Sequence, residues 1–212
     1  MKRPLTFVLS ALLIGVMAYL VYEYRADFGF GGPANRQGTP TVEATNPELR
    51  PAPVAWQTVD RTPDGFKVDL PAGANLTQIP AYTELGVAEQ VNLIEATLDP
   101  ATTYAVAWAD NPPVERFAGE DAEKTLDLAR NGALGRTQTT LINESRSSLG
   151  GYPAHDFLAR NVGGGLLNAR LILAGTRLYM LIATFPVSSA RRDEDVNHFF
   201  GSFTVMAAPR SN

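Results

Sequence analysis

A chain of 212 residues with 45% hydrophobic and 19% charged side chains has enough apolar material for one ordinary domain, and is neither wholly disordered nor of multi-domain size. It contains no cysteine, which excludes disulfides, thiolate nucleophiles, Cys-ligated zinc and iron–sulfur clusters, and only two histidines, which narrows metal and acid–base chemistry. The formal net charge is −4; residues 1–25 carry a net +2 (Lys2, Arg3 and Arg25 against Glu23), which leaves −6 on the rest and argues against nucleic acid as a partner.

Lys2 and Arg3 precede an apolar run over residues 5–22, interrupted only by Thr6, Ser10 and Gly15. At the helical rise such a run spans roughly 27 Å, close to the thickness of a bilayer core, and is longer than the apolar part of most secretory signals. No small-x-small cleavage site follows, and Tyr19, Tyr22 and Tyr24 cluster at its far end, where amphipathic rings favour the headgroup layer. Weighed against a cleaved signal peptide and a buried helix of the body, the run is read as an uncleaved signal anchor over residues 1–24. A transmembrane helix thus precedes the body and touches the lipid bilayer through residues 5–22. The positive charges before it set the N-terminus in the cytoplasm and the rest of the chain outside the inner membrane.

Residues 25–53 are dense in Gly, Pro, Asn and Thr without apolar periodicity, and they predict a flexible tether. From residue 54 short apolar runs alternate with turn signals. Asp64-Gly65 opens a strand in which Phe66, Val68 and Leu70 alternate with Lys67 and Asp69, and Pro71-Ala72-Gly73 ends it. Residues 87–98 and 102–109 predict further strands, the second with Tyr104, Val106 and Trp108 on one face. Asp110-Asn111-Pro112-Pro113 breaks any regular element.

Residues 120–133 predict a helix, with Glu120, Asp121 and Glu123 in the first turn and Arg130 in the last. Its narrow stripe of Ala122, Leu126, Ala129 and Ala133 suits packing on a sheet. Four strands follow, over 139–145, 154–162, 166–174 and 177–185; Gly163-Gly164-Gly165 and Gly175-Thr176 separate the last three as hairpins of an antiparallel meander. The last of the four is apolar enough to be central and covered on both faces. A second helix capped at Ser188 or Ser189 runs to about Phe200, and a closing strand occupies 202–206. The fold class is therefore α+β, one antiparallel sheet flanked by helices over residues 54–208, with a short tail at 209–212.

Gly151-Tyr152-Pro153 before a strand, the Gly turn, the paired strands at 168–173 and 177–184, a helix and then Phe199-Phe200-Gly201-Ser202-Phe203 make an order that resembles the PsbP-like superfamily. That group includes the extrinsic P subunit of photosystem II and the Ran-binding Mog proteins. The strand at 64–73 and the helix before Gly-Tyr-Pro fit the same order, so the likeness covers nearly the whole body. It implies an antiparallel sheet flanked by helices, used for docking onto proteins instead of catalysis. Its turn and core residues carry no functional residue across, and the N-terminal anchor departs from the soluble members.

Three constellations invite chemistry. His155-Asp156, with Ser147 or Ser148 upstream, suggests a catalytic pair, but adjacent strand residues face opposite ways, so Asp156 does not orient His155. Asp193, Asp195 and Asn197 alternate as in a calcium loop, yet His198 stands where that loop needs Gly and Thr204 where it needs the closing Glu; acids in the first turn of a helix are the commoner meaning. Trp56, Trp108, Tyr104 and Phe117 line either a ligand groove or the core. No catalytic, cofactor-binding or metal-binding residue is assigned, and no cofactor. The expectation is a membrane-anchored, extracytoplasmic, non-catalytic docking module, an accessory subunit with a protein partner in or at the membrane and no nucleic-acid partner. The alternative is a module that binds a small molecule or lipid.

Overall fold

The computed structural model describes residues 53–82, 88–99, 102–110, 120–185 and 193–206. The predicted anchor at 5–22, almost all of the tether, and Phe117, Ser188 and Ser189 lie outside the described residues. No helix among the described residues is long and apolar enough to cross a membrane.

Among the described residues, ten strands and two α-helices follow in chain order. They are β1 (Trp56–Arg61), β2 (Phe66–Pro71), β3 (Asn75–Tyr82), β4 (Ala88–Asp99), β5 (Thr102–Asp110), α1 (Glu120–Thr137), β6 (Thr139–Leu149), β7 (Tyr152–Asn161), β8 (Leu166–Ala174), β9 (Arg177–Phe185), α2 (Asp193–Ser202) and β10 (Thr204–Val205). Every strand pair is antiparallel. The α+β class holds, but the described residues form two sheets, not one: seven strands in the order β3-β4-β5-β9-β8-β7-β6, and a small sheet β1-β2-β10. The second sheet escapes a reading by apolar runs because β1 (WQTVDR) is half exposed and takes its register from β2.

Strand alternation divides the core in two. On β5, Ala105, Ala107 and Ala109 join the cluster that holds the stripe of α1, which lies over β6, β7 and β8. Tyr104, Val106 and Trp108 point the other way, into the cluster shared with Phe66, Val68 and Leu70 of β2 and with Val196 and Phe199 of α2. The large sheet is thus the middle of three layers, and β5 and β9 at its centre are buried along nearly their whole length. The α1 stripe, Ala122, Leu126, Ala129 and Ala133, is at most 1% exposed, as its spacing predicts.

α1 runs four residues beyond the expected end. Gly132 does not stop it; the Thr137 hydroxyl donates to the Ala133 carbonyl at 2.9 Å, and Gln138 takes the left-handed φ of 49° that terminates the helix. β6 runs to Leu149, past the expected Ser145, with a bulge between Leu141 and Asn143 that leaves Ile142 outside the regular pairing. In the β7–β8 turn, the Gly165 N–H donates to the Asn161 side-chain oxygen at 2.8 Å, so the triple glycine closes a hairpin.

Gly65 links the small sheet to the large one. Its φ is +79°, and a Cβ there would lie 2.8 Å from the Tyr179 hydroxyl, which itself donates to the Asp64 carbonyl at 2.8 Å. Burial is the main cause that holds that hydroxyl protonated above its ordinary range. Gly65→Ala combines left-handed strain with this clash, and its cost is expected at the upper end of about 1–3 kcal/mol, read as a lowered urea midpoint at unchanged slope.

Asp60, on β1, accepts from Lys67 and from the Thr62 hydroxyl and backbone N–H, and these bonds, the Lys67 bond foremost, lower its pKa from 3.8 to about 2. Because the folded value is depressed, whatever this network contributes is present above 3.8 and is lost as the pH falls through about 2. A carboxyl NMR titration is expected to place the Asp60 midpoint near 2; a midpoint at the ordinary value shows that the network does not persist in solution.

A polar cluster between the helix and the edge of the sheet

The β6–β7 register sets Arg146 opposite His155 and Glu144 opposite Phe157, so Glu144, Arg146 and His155 all face α1. From the helix come Glu123, Asp127 and Arg130, spaced four and three residues apart on one side of the apolar stripe. Together they enclose His155, whose side chain is 0% exposed.

Its Nε2 lies 2.8 Å from Oε2 of Glu123. A carboxylate only accepts, so Nε2 carries a proton; in the neutral form of the ring the lone pair is then on Nδ1. That nitrogen lies 3.5 Å from Oε1 of Glu144 and 3.7 Å from Oδ1 of Asp127, and makes no hydrogen bond to either. Oε1 of Glu144 also has none, while its Oε2 pairs with Arg130. Arg130 reaches Oδ1 of Asp127 at 3.3 Å, and Arg146 reaches both carboxylate oxygens of Asp127 and Oε2 of Glu123, each at 3.3 Å. Buried polar atoms without partners cost about 1–3 kcal/mol each, so His155 Nδ1 and Glu144 Oε1 are an energetic deficit within an otherwise saturated network.

Asp156 points to the opposite face and holds Arg170 in a bidentate pair at 2.5 and 3.0 Å. It does not orient His155. Ser147 and Ser148 sit across from Ala154 and Pro153, so the strand register brings no triad together. His198 Nε2 donates to Oδ2 of Asp69 at 3.0 Å, and its ring lies tilted against Trp56 with centroids 4.6 Å apart; Asp193, Glu194 and Asp195 form the first turn of α2. Tyr104 and Trp108 are core residues, 0% and 2% exposed, packed with Phe66, Phe199 and Phe203. A groove of about 210 Å³ lies instead on the α2 side of the outer strands, lined by Asn143, Ser145, Asp156, Leu158, Asn168 and Phe200.

The roles of Asp127 and Glu144 are missed by motif reading. The spacing of Glu123, Asp127 and Arg130 beside the stripe is visible in the sequence, but their convergence on His155 depends on how the helix crosses β6 and β7.

No protein-family model matches the chain, and no curated protein matches it. Solved structures do. Cyanobacterial PsbP (CyanoP) from Synechocystis sp. PCC 6803 aligns at 14% identity and a TM-score of 0.47, covering 77% of this chain and 98% of that one. PA94 from Pseudomonas aeruginosa, a protein of unknown function, aligns at 13% identity and a TM-score of 0.36, covering 74% and 99%. A protein from Bacteroides thetaiotaomicron VPI-5482 aligns at 11% and 0.34, covering 68% of this chain and 46% of its own. At such scores these neighbours assign no activity to the chain, and its function is argued from its own residues.

Proposed function

We propose that this chain is a non-catalytic docking module, fixed to the inner membrane by residues 5–22 and presenting its body on the extracytoplasmic side as an accessory subunit of a membrane protein complex. The observation that carries the docking element is the edge strand β6. It is eleven residues long, exposed at most positions, and no described strand pairs with its outer side. An open edge offers a row of backbone donors and acceptors to an added strand, and exposed Leu141 and Ile142, with Val162 in the turn after β7, supply apolar side chains at one end. The packing of Tyr104 and Trp108 into the core removes two of the aromatics on which the ligand-binding alternative depended. The resemblance to PsbP-like proteins, among which accessory subunits occur, points the same way and suggests a photosynthetic or respiratory assembly.

The full chain, tagged and extracted in mild detergent, is expected to co-purify with a defined membrane protein, and Ile142→Lys is expected to abolish that recovery without changing the unfolding midpoint. Recovery of the chain alone counts against docking. Recovery unaffected by Ile142→Lys moves the contact away from β6.

A further inference from the structure

The geometry points to a divalent-cation site of zinc or manganese type at His155 Nδ1, Glu144 Oε1 and Asp127 Oδ1, which clamps α1 onto the edge strand β6. Nothing in the docking argument requires it. The first support is distance. Metal–ligand bonds of about 2.0–2.2 Å set tetrahedral ligand atoms about 3.3–3.6 Å apart. Nδ1 stands 3.5 Å from Oε1 and 3.7 Å from Oδ1, and one ligand atom from each of the three residues lies within 4.8 Å of the others, so the side chains need only a modest rearrangement to close on one ion.

The second support is a buried group without a partner. His155 is wholly buried, its Nδ1 has no hydrogen-bond partner, and because Nε2–H donates to Glu123 it is Nδ1 that aims into the cluster. A carboxylate that receives the second ring N–H is the usual orienting partner of a metal-bound histidine. Oε1 of Glu144 is orphaned in the same direction.

Charge agrees. Three carboxylates, Glu123, Asp127 and Glu144, meet two guanidinium groups, Arg130 and Arg146, which leaves one net negative charge around the imidazole. Arg130 engages Oε2 of Glu144 and leaves its Oε1 unpartnered, whereas Oδ1 of Asp127 is approached by both Arg130 and Arg146, each at 3.3 Å, and both contacts must yield when the ion enters. One imidazole with two carboxylates suits zinc or manganese better than the all-oxygen set of calcium. The side chains of Asp127 and Glu144 are 32% and 19% exposed, which gives the ion a path from solvent, and a fourth position is left for water.

The rival completion is a proton on Nδ1, and the experiment separates the two. The chelator-treated full chain in detergent is titrated calorimetrically with Zn²⁺ and with Mn²⁺, and its unfolding is followed with and without each ion. One equivalent is expected to bind and to raise the unfolding midpoint. Asp127→Asn and Glu144→Gln are each expected to weaken binding at least tenfold, while His198→Asn, at the other histidine, leaves it unchanged. Because either cluster variant can weaken folding, the unmutated chain is also observed by nitrogen NMR, where the ion must shift the His155 Nδ1 resonance. Absence of uptake, a His155 Nδ1 that stays protonated at pH 8, or binding equally strong in Asp127→Asn and Glu144→Gln overturns the proposal.

Discussion

Trp108→Ala is expected to destabilise the body by about 3–5 kcal/mol, the range for removal of a large aromatic from a packed core. Trp108 is 2% exposed on β5, and its ring meets Phe66 of β2 edge-on with centroids 5.0 Å apart. Its Nε1–H donates to Asp64 at 3.1 Å, and the guanidinium of Arg61 lies 5.6 Å from the ring centroid. Three of its contacts thus belong to the small sheet or the turn between β1 and β2, so the side chain fastens that sheet to the large one. The loss is therefore expected to be local as well as global: backbone amides of β1 and β2 should exchange with solvent faster relative to those of β8 and β9. Trp108→Phe keeps most of the volume and removes the donor, and is expected to cost less than half as much. Denaturant unfolding measures both. A loss below about 1 kcal/mol for the alanine variant shows that the two sheets do not depend on this ring.

The parts of the fold legible from sequence are those whose boundaries are chemical. β8 and β9 occupy the expected residues, because Gly163-Gly164-Gly165 and Gly175-Thr176 punctuate apolar runs that need no partner to be recognised. The opposite alternation of Tyr104, Val106 and Trp108 against Ala105, Ala107 and Ala109 likewise survives as two separate core clusters. β1 and β3 are different. The Asn, Thr and Gln of β3 and its Pro80 suit an edge strand, and their pairing with β4 is set by tertiary contact and not by local preference. α1 outlasts Gly132 for a similar reason: the Thr137 hydroxyl bond and the buried Ala133 outweigh the weak helix preference of one glycine. The polar cluster is the extreme case. His155, Asp127 and Glu144 lie on three elements, and only the crossing of α1 over β6 and β7 brings them together. What the sequence does show is that Asp156 faces away from His155, since that follows from strand period alone.

The largest functional effect is expected from removing residues 1–53. On the proposed topology the anchor and tether hold the body beside its membrane partner, so docking is nearly intramolecular, with an effective concentration that reaches millimolar for short flexible linkers. A chain that begins at Val54 retains every strand and helix of the described residues. Its two core clusters close among the described residues, and a body of this size buries enough surface to fold alone. Its unfolding midpoint is therefore expected to match that of the full chain, while its apparent affinity for the partner in reconstituted membranes falls by about 10²–10⁴-fold. The two readouts separate two ideas. Equal affinity in both forms means that tethering contributes nothing and the apolar run serves delivery only. Aggregation of the truncated chain, or loss of its cooperative transition, means that residues 5–22 pack against the body, and then the anchor and the tether fail together.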